Sequence, residues 1–296
     1  MPIARIPVIR HRSIDIDGVR LFYRESVPNN ADAPIVLLLH GFPSSSHQYR
    51  RLMDALGNDY RLVAPDYPGF GHSDAPASTT SGGRFTYSFD RLADLVEGLV
   101  EALKLRRFML YVFDFGAPVG FRLATRRPEL IAGLIVQNGN AYHEGLSEAA
   151  QGFIALTPDD VDAGVRIEQL LTLEMTRAQY EGGTSDPERI APDGWTMDQH
   201  FLDLPERRQA QYDLFFDYKS NLARYAEWQE WLRRDRPRTL IAWGRNDPFF
   251  TEPGARAFLR DVPEAELHLF DTGHFALEEF LPEIAPLIAD FIDRTW

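Results

Sequence analysis

Short runs of consecutive apolar residues recur along the chain, separated by stretches with apolar positions every three to four residues. Ile35–Leu39 is the clearest run. Arg61–Ala64, Phe108–Phe113, Leu134–Val136, Thr239–Trp243 and Leu267–Phe270 follow the same pattern. A run this short, apolar at nearly every position, suits a strand covered on both faces. The stretches between predict helices over Ser46–Leu56, Phe89–Leu103, Ala117–Arg126, Pro253–Arg260 and Ala276–Arg294. Strand and helix in alternation imply a mostly parallel sheet with helices on both faces. Near the start, Ser13–Asp17 and Val19–Glu25 alternate polar and apolar and meet at Asp17-Gly18, the signature of a β-hairpin.

The alternation stops between residues 141 and 236, where no buried strand pattern occurs. Helical patterns and aromatics fill this stretch: Tyr142, Tyr180, Trp195, Tyr212, Phe215, Phe216, Tyr218, Tyr225, Trp228 and Trp231. The expected organisation is an α/β core over 1–140 and 237–296, with a helical cap inserted over 141–236. Most of these aromatics are expected to form the cap's own core. Ala75–Gly83, rich in small residues, reads as a mobile surface loop.

Composition narrows the function classes. The net charge of −13 leaves no basic excess for a phosphate backbone, so nucleic acid is not an expected partner. The absence of cysteine excludes disulfides and thiolate chemistry, and it is consistent with a reducing compartment. No apolar run approaches the ~20 residues that span a bilayer, and Met1–Arg12 has no signal-peptide core. These features together predict a cytoplasmic protein without membrane contact.

Chemistry concentrates at Tyr111-Val112-Phe113-Asp114-Phe115-Gly116-Ala117-Pro118-Val119-Gly120. A buried strand ends, a helix begins almost at once, and Asp114 sits on the turn. This is the layout of a nucleophile elbow, in which Gly116 permits the tight turn and the helix dipole favours a carboxylate. The rival reading is that Asp114 only caps the helix. Two later segments favour the elbow. Trp243-Gly244-Arg245-Asn246-Asp247-Pro248 places an acid after a strand, and Asp271-Thr272-Gly273-His274-Phe275 places a histidine before the last helix. Nucleophile, acid and histidine stand in the chain order of an α/β-hydrolase triad. The loop after Ile35–Leu39, His40-Gly41-Phe42-Pro43, then assigns an oxyanion hole to the backbone N–H groups of Phe42 and Phe115.

These motifs, with Pro65-Asp66-Tyr67-Pro68-Gly69-Phe70-Gly71-His72-Ser73-Asp74, resemble those of α/β-hydrolases of the epoxide hydrolase and haloalkane dehalogenase group. The resemblance covers nearly the whole chain, and His-Gly-Phe-Pro is more similar to epoxide hydrolases. It implies an α/β-hydrolase fold and a cis Phe42-Pro43 bond. Two positions depart from the pattern. Val112 stands where a small residue is usual, and Phe115 stands where both enzyme types usually carry Trp.

An aspartate nucleophile is ionised at neutral pH, with a reference pKa of about 3.9, and attacks an sp³ carbon directly to form an alkyl ester. Water activated by His274, oriented by Asp247, would then cleave that ester. An epoxide oxygen also needs a donor, and the segment Asp217-Tyr218-Lys219-Ser220-Asn221 resembles the one carrying a ring-opening tyrosine. That resemblance gives Tyr218 the role, with Tyr142 and Tyr180 as candidates for a second tyrosine. No metal-ligand or dinucleotide motif occurs, so no metal or cofactor is expected.

The expected partner is a small apolar substrate with water. Haloalkane dehalogenase or ester hydrolysis is the alternative activity, and a catalytically silent ligand-binding protein is the alternative class. Weak dehalogenation is expected because Phe42 and Phe115 offer no side-chain N–H to a halide. Trp195, Trp228, Trp231 and Asn138 are the residues that would rescue it.

Overall fold

In the computed structural model, which describes residues 6–296, the apolar runs pair into one eight-stranded sheet. Its strands are β1 (Ile9–Ile16), β2 (Val19–Ser26), β3 (Ile35–Leu39), β4 (Arg61–Pro65), β5 (Phe108–Phe113), β6 (Ile131–Gln137), β7 (Thr239–Gly244) and β8 (Glu266–Phe270). They lie in the order β1-β2-β4-β3-β5-β6-β7-β8. From β4 to β8 all pairs are parallel, and the β1–β2 hairpin joins antiparallel at β4. The hairpin turns where expected, with Asp17 and Gly18 both at positive φ, as a tight two-residue turn requires. β1 starts at Ile9, earlier than the alternation suggests, because its exposed edge carries polar residues such as Arg10, His11 and Arg12. The reading of Met1–Arg12 as lacking a signal peptide falls partly on residues 1–5, outside the described residues.

The core helices are α1 (Arg50–Leu56), α2 (Phe89–Ala102) and α3 (Gly116–Arg126). Between β6 and β7 come α4 (Glu148–Ile154), α5 (Ala163–Leu170), α6 (Leu173–Glu181), α7 (Pro192–Leu202), α8 (Pro205–Asp217), α9 (Lys219–Leu222) and α10 (Tyr225–Asp235). The core resumes with α11 (Glu252–Asp261) and α12 (Ala276–Thr295). The last helix is kinked at Phe280, where Pro282 removes an N–H from the ladder and crowds the preceding turn. Every side chain of β5 is buried, and each buried Phe or Leu contributes roughly 1.5–3 kcal/mol of transfer free energy.

The helical insert between β6 and β7 is fastened to the core on two sides. On one, Arg122 of α3 is 1 % exposed and donates to Asp90 of α2 and to Ser220 and Asn221 of the insert. On the other, the Glu279 carboxylate accepts from the backbone N–H groups of Ser185 and Asp186. The Ala75–Gly83 segment is tied down too. Ser78 and Thr80 donate to the Asp213 carboxylate of α8, so the loop is anchored to the insert instead of hanging free. No helix among the described residues is long and apolar enough to cross a membrane.

Candidate active site

The order in which strands are laid across the sheet reverses about β3: the strand after it, β4, lies on one side, while β5 lies on the other. The crevice beyond the carboxyl ends of β3 and β5 is therefore a topological switch point, where open α/β sheets bind ligands. Phe42 follows β3 and Asp114 follows β5, so both enter this crevice.

Asp114 has φ +46°, a left-handed conformation that costs a non-glycine residue roughly 1–2 kcal/mol. The turn lifts its side chain away from the strand. Gly116 is needed here for close approach, not for unusual dihedrals: a Cβ there would lie 2.1 Å from the Leu39 carbonyl oxygen. Gly41 faces the carboxylate itself, and a Cβ there would sit 2.3 Å from Asp114 Oδ1. The bulky Val112 is accommodated because α3 presents Gly120 to it. Asp114 stands one residue before the N-cap position of α3, which is Phe115. Its carboxylate accepts from the Phe42 N–H across the crevice at 2.6 Å and from the Phe115 N–H. The two N–H groups assigned to an oxyanion hole thus converge on one carboxylate. The Phe42-Pro43 bond is cis.

His40 holds this loop. It is fully buried, its Nε2 accepts from the Tyr67 N–H at 3.2 Å, and its Nδ1 lies 3.0 Å from the Gly41 carbonyl. Burial lowers its pKa to about 4, so the ring is neutral, with the proton on Nδ1 facing Gly41. Asp66 braces the next turn by accepting from the Ser46 and His72 N–H groups.

His274 points Nε2 at Asp114 Oδ2 over 3.8 Å and places Nδ1 2.7 Å from Asp247 Oδ2. Asp247 is buried and well supplied with donors. Its Oδ1 accepts from the Phe249 and Phe250 N–H groups at 2.8 and 3.0 Å, and its Oδ2 also accepts from Asn138 Nδ2 at 2.8 Å. The electrostatics are opposed within the site. Burial pushes Asp114 up to about 6, although His274 and the two N–H groups pull it down. For His274, burial favours the neutral ring, but the Asp247 carboxylate, with a smaller pull from Asp114, outweighs it and raises the pKa.

Asp114 and His274 open into a cavity of about 560 Å³ including its mouth. Its walls are mostly apolar: Phe42, Phe115, Phe153, Ile154, Leu170, Phe215, Phe249 and Phe250. Two further polar side chains reach it from the insert, Tyr218 and Gln179. Tyr218 packs 5.8 Å from the Phe115 ring, and burial keeps its hydroxyl protonated.

Comparison with known proteins agrees with this architecture. Residues 34–281 match the alpha/beta hydrolase fold family. The chain belongs to that family. An uncharacterized hydrolase of Saccharomyces cerevisiae, YNR064C, is 37% identical over 94% of this chain and 95% of its own. A haloalkane dehalogenase of Psychrobacter cryohalolentis is 26% identical over 93% of this chain and 88% of its own. Among solved structures, the haloalkane dehalogenase DbeA of Bradyrhizobium elkani superposes with a TM-score of 0.80 at 21% identity, covering 97% and 99% of the two chains. At that identity the superposition speaks for the fold alone.

Several residues singled out from the sequence lie elsewhere in this α/β-hydrolase. Tyr142 is outside the cavity; its hydroxyl donates to Asp261 at 2.7 Å, and the ring packs edge-on against Phe258. Tyr180 donates to Asp198 at 2.6 Å and stacks on Phe275 at 3.9 Å, also outside it. Neither hydroxyl is available as a second ring-opening donor, because a buried carboxylate already holds each. Trp228 and Trp231 pack against Phe121, and Trp195 packs against Tyr180, so none lines the cavity. Asn138 does not face the cavity; its amide is engaged by Asp247 and Gly244.

Sequence reasoning missed four wall residues of consequence. Phe249 and Phe250 follow Asp247-Pro248 directly, and their N–H groups grip the acid while their rings face the cavity. Phe153 belongs to a short helix without strong periodicity. Gln179 precedes Tyr180, and only the phase of α6 decides which of the two faces the cavity.

Proposed function

We propose that this α/β-hydrolase opens small apolar epoxides through a covalent alkyl ester on Asp114. The arrangement that carries the reading is the Asp114 carboxylate, raised at a left-handed elbow, with Oδ1 on the Phe42 N–H at 2.6 Å and Oδ2 facing His274. Oδ2, the oxygen on the His274 side, attacks an epoxide carbon. The C–O bond breaks, its electron pair moves to the epoxide oxygen, and the Tyr218 hydroxyl supplies the proton. The ester's remaining oxygen, Oδ1, already lies against the Phe42 N–H at 2.6 Å, with the Phe115 N–H also donating to this carboxyl group. It stays there when water, deprotonated by His274, adds to Cγ and the oxygen gains negative charge. Collapse expels the diol's alkoxide, which takes a proton from His274, and the proton left on the regenerated Asp114 carboxyl returns to the Tyr218 phenolate, restoring both groups. Asp247 stabilises the imidazolium in between. The helical insert acts as a cap, supplying Tyr218 and much of the apolar wall, which favours a substrate without charge.

A second reading is haloalkane dehalogenation by the same two steps. The similarity to named dehalogenases favours it, as does the side-chain amide of Gln179 on the cavity wall, whose Nε2 has no protein acceptor. The Phe42 and Phe115 side chains, which carry no N–H, count against it. The deciding test compares small epoxides, haloalkanes and p-nitrophenyl esters by turnover and by intact mass of the His274→Gln variant. Alkylation by epoxides with slow or absent halide release supports the first reading. Rapid halide release without epoxide opening supports the second.

A further inference from the structure

We infer that Gln179 is a catalytic residue of this site, its side-chain N–H holding the leaving oxygen beside the Tyr218 hydroxyl as the C–O bond breaks. The inference rests on the epoxide-opening reading above and names its second donor. It begins from the buried stripe of α6, Thr176, Gln179 and Tyr180, which spacings of three and four residues bring to one face. The two flanking hydroxyls are both committed to α7. Thr176 donates to Gln199 at 2.8 Å and Tyr180 donates to Asp198 at 2.6 Å. Those bonds, with Tyr180 stacked on Phe275, set the rotation of α6 about its axis. Gln179 lies between them. Its side chain lines the cavity that Asp114 opens into, it is 4 % exposed, and its Nε2 has no protein acceptor.

A buried amide N–H without an acceptor costs roughly 1–3 kcal/mol. A hydrophobic residue would avoid that cost, and leucine, isoleucine and phenylalanine already make up most of this wall. The epoxide oxygen supplies the missing acceptor, and the hydrogen bond strengthens as that oxygen gains negative charge, so the interaction favours the transition state over the bound ground state. The proton accounting assigns distinct roles to the two donors. An amide does not give up its proton at neutral pH, so Gln179 contributes a hydrogen bond while Tyr218 transfers the proton. This division also replaces the second tyrosine, since Tyr142 and Tyr180 are both held by buried carboxylates.

The test isolates alkylation. In the His274→Gln background the ester accumulates, and its rate of appearance is read by intact-protein mass spectrometry with styrene oxide and 1,2-epoxyhexane as probes. Gln179→Met keeps the length and removes the donor. The expected result is alkylation slower by about 10²-fold, the usual loss for one such donor. With His274 restored, hydrolysis of ester already formed should proceed at an unchanged rate, which separates lost hydrogen bonding from general distortion. Gln179→Asn, which keeps the amide but retracts it by one carbon, should also slow alkylation, and it serves if the methionine variant does not fold. Equal alkylation rates with and without the Gln179 amide would overturn the inference and leave the epoxide reading standing. No alkylation of the His274→Gln variant by either epoxide, with Gln179 in place, would overturn both.

Discussion

Asn138 Nδ2 donates to Asp247 Oδ2 at 2.8 Å, on the same oxygen that meets His274 Nδ1 at 2.7 Å. Asn138 also has φ +42°, so its backbone turns β6 sharply towards the end of β7. Its Oδ1 accepts from the Gly244 N–H at 2.9 Å, which fixes the amide's orientation and leaves Nδ2 for the acid. Asn138→Gly removes the side chain without strain at positive φ. A hydrogen bond to a charged group is worth about 1.5–3 kcal/mol, so ester hydrolysis should slow by roughly tenfold to a hundredfold. Alkylation, which needs no base, should be nearly unchanged; rapid-quench measurement of both steps checks the split.

Asp114→Ala should abolish turnover while leaving a folded protein. A second consequence concerns stability. The folded-state pKa of Asp114 is raised to about 6, so ionisation destabilises the fold progressively as pH rises from about 4 to about 6. Asp114→Asn avoids that penalty. Its stability relative to the wild type should grow across this window and level off above it, by at most about 3 kcal/mol from a shift of roughly two pKa units. Urea unfolding at pH 4 and pH 8 measures the difference, and a constant offset would contradict the burial argument.

The two chemical steps should titrate differently. Alkylation needs ionised Asp114, so its rate should fall as pH drops through about 6. Hydrolysis needs neutral His274, whose pKa is raised by Asp247, so its rate should climb as pH passes above the ordinary histidine value of about 6.5. The fraction of enzyme held as ester should therefore fall as pH rises and His274 loses its proton. Single-turnover mass spectrometry across pH checks this ordering.

Tyr218→Phe keeps the ring against Phe115 and Phe89 and removes only the hydroxyl. General-acid assistance is typically worth about 10²–10⁴-fold, and epoxide opening should fall by that order. Attack on an iodoalkane, whose leaving group needs no proton, should fall far less. Equal losses on both substrates would remove Tyr218 from proton transfer.

Chloride or bromide release from short haloalkanes should be weak. Trp195, Trp228 and Trp231 lie outside the cavity and Asn138 is bound to Asp247, so none of them meets a departing halide. Among the described residues, Gln179 is the one side-chain amide on the wall, and its Nε2 has no protein acceptor. A halide-sensitive dye assay run beside the epoxide panel gives the ratio of the two activities.

The alternation of strands and helices, and the positions of Asp114, Asp247 and His274 just after strands, were legible in the chain itself. Their signals are local: a strand apolar on both faces, a glycine where backbones touch, an acid or histidine directly after a strand. Such features act over a few residues, and sequence displays them without help. The convergence of the Phe42 and Phe115 N–H groups on one carboxylate follows from pairing β3 beside β5, which motif order already implies. The insert is different. Its helices are short, its aromatics are everywhere, and beyond the segment around Tyr218 no turn or motif marks which side chain faces the cavity. Tyr142 and Tyr180 look eligible as a second tyrosine until the fold brings Asp261 and Asp198 against their hydroxyls. Gln179 is inconspicuous until α6 docks on α7 and sets its phase. Asn138 reads as a spare donor until β6 and β7 align and its amide meets Asp247. Each of these outcomes depends on partners 18 to 119 residues away in sequence. A hydrogen bond across such distances is decided by how rigid elements pack, and only the tertiary structure carries that information.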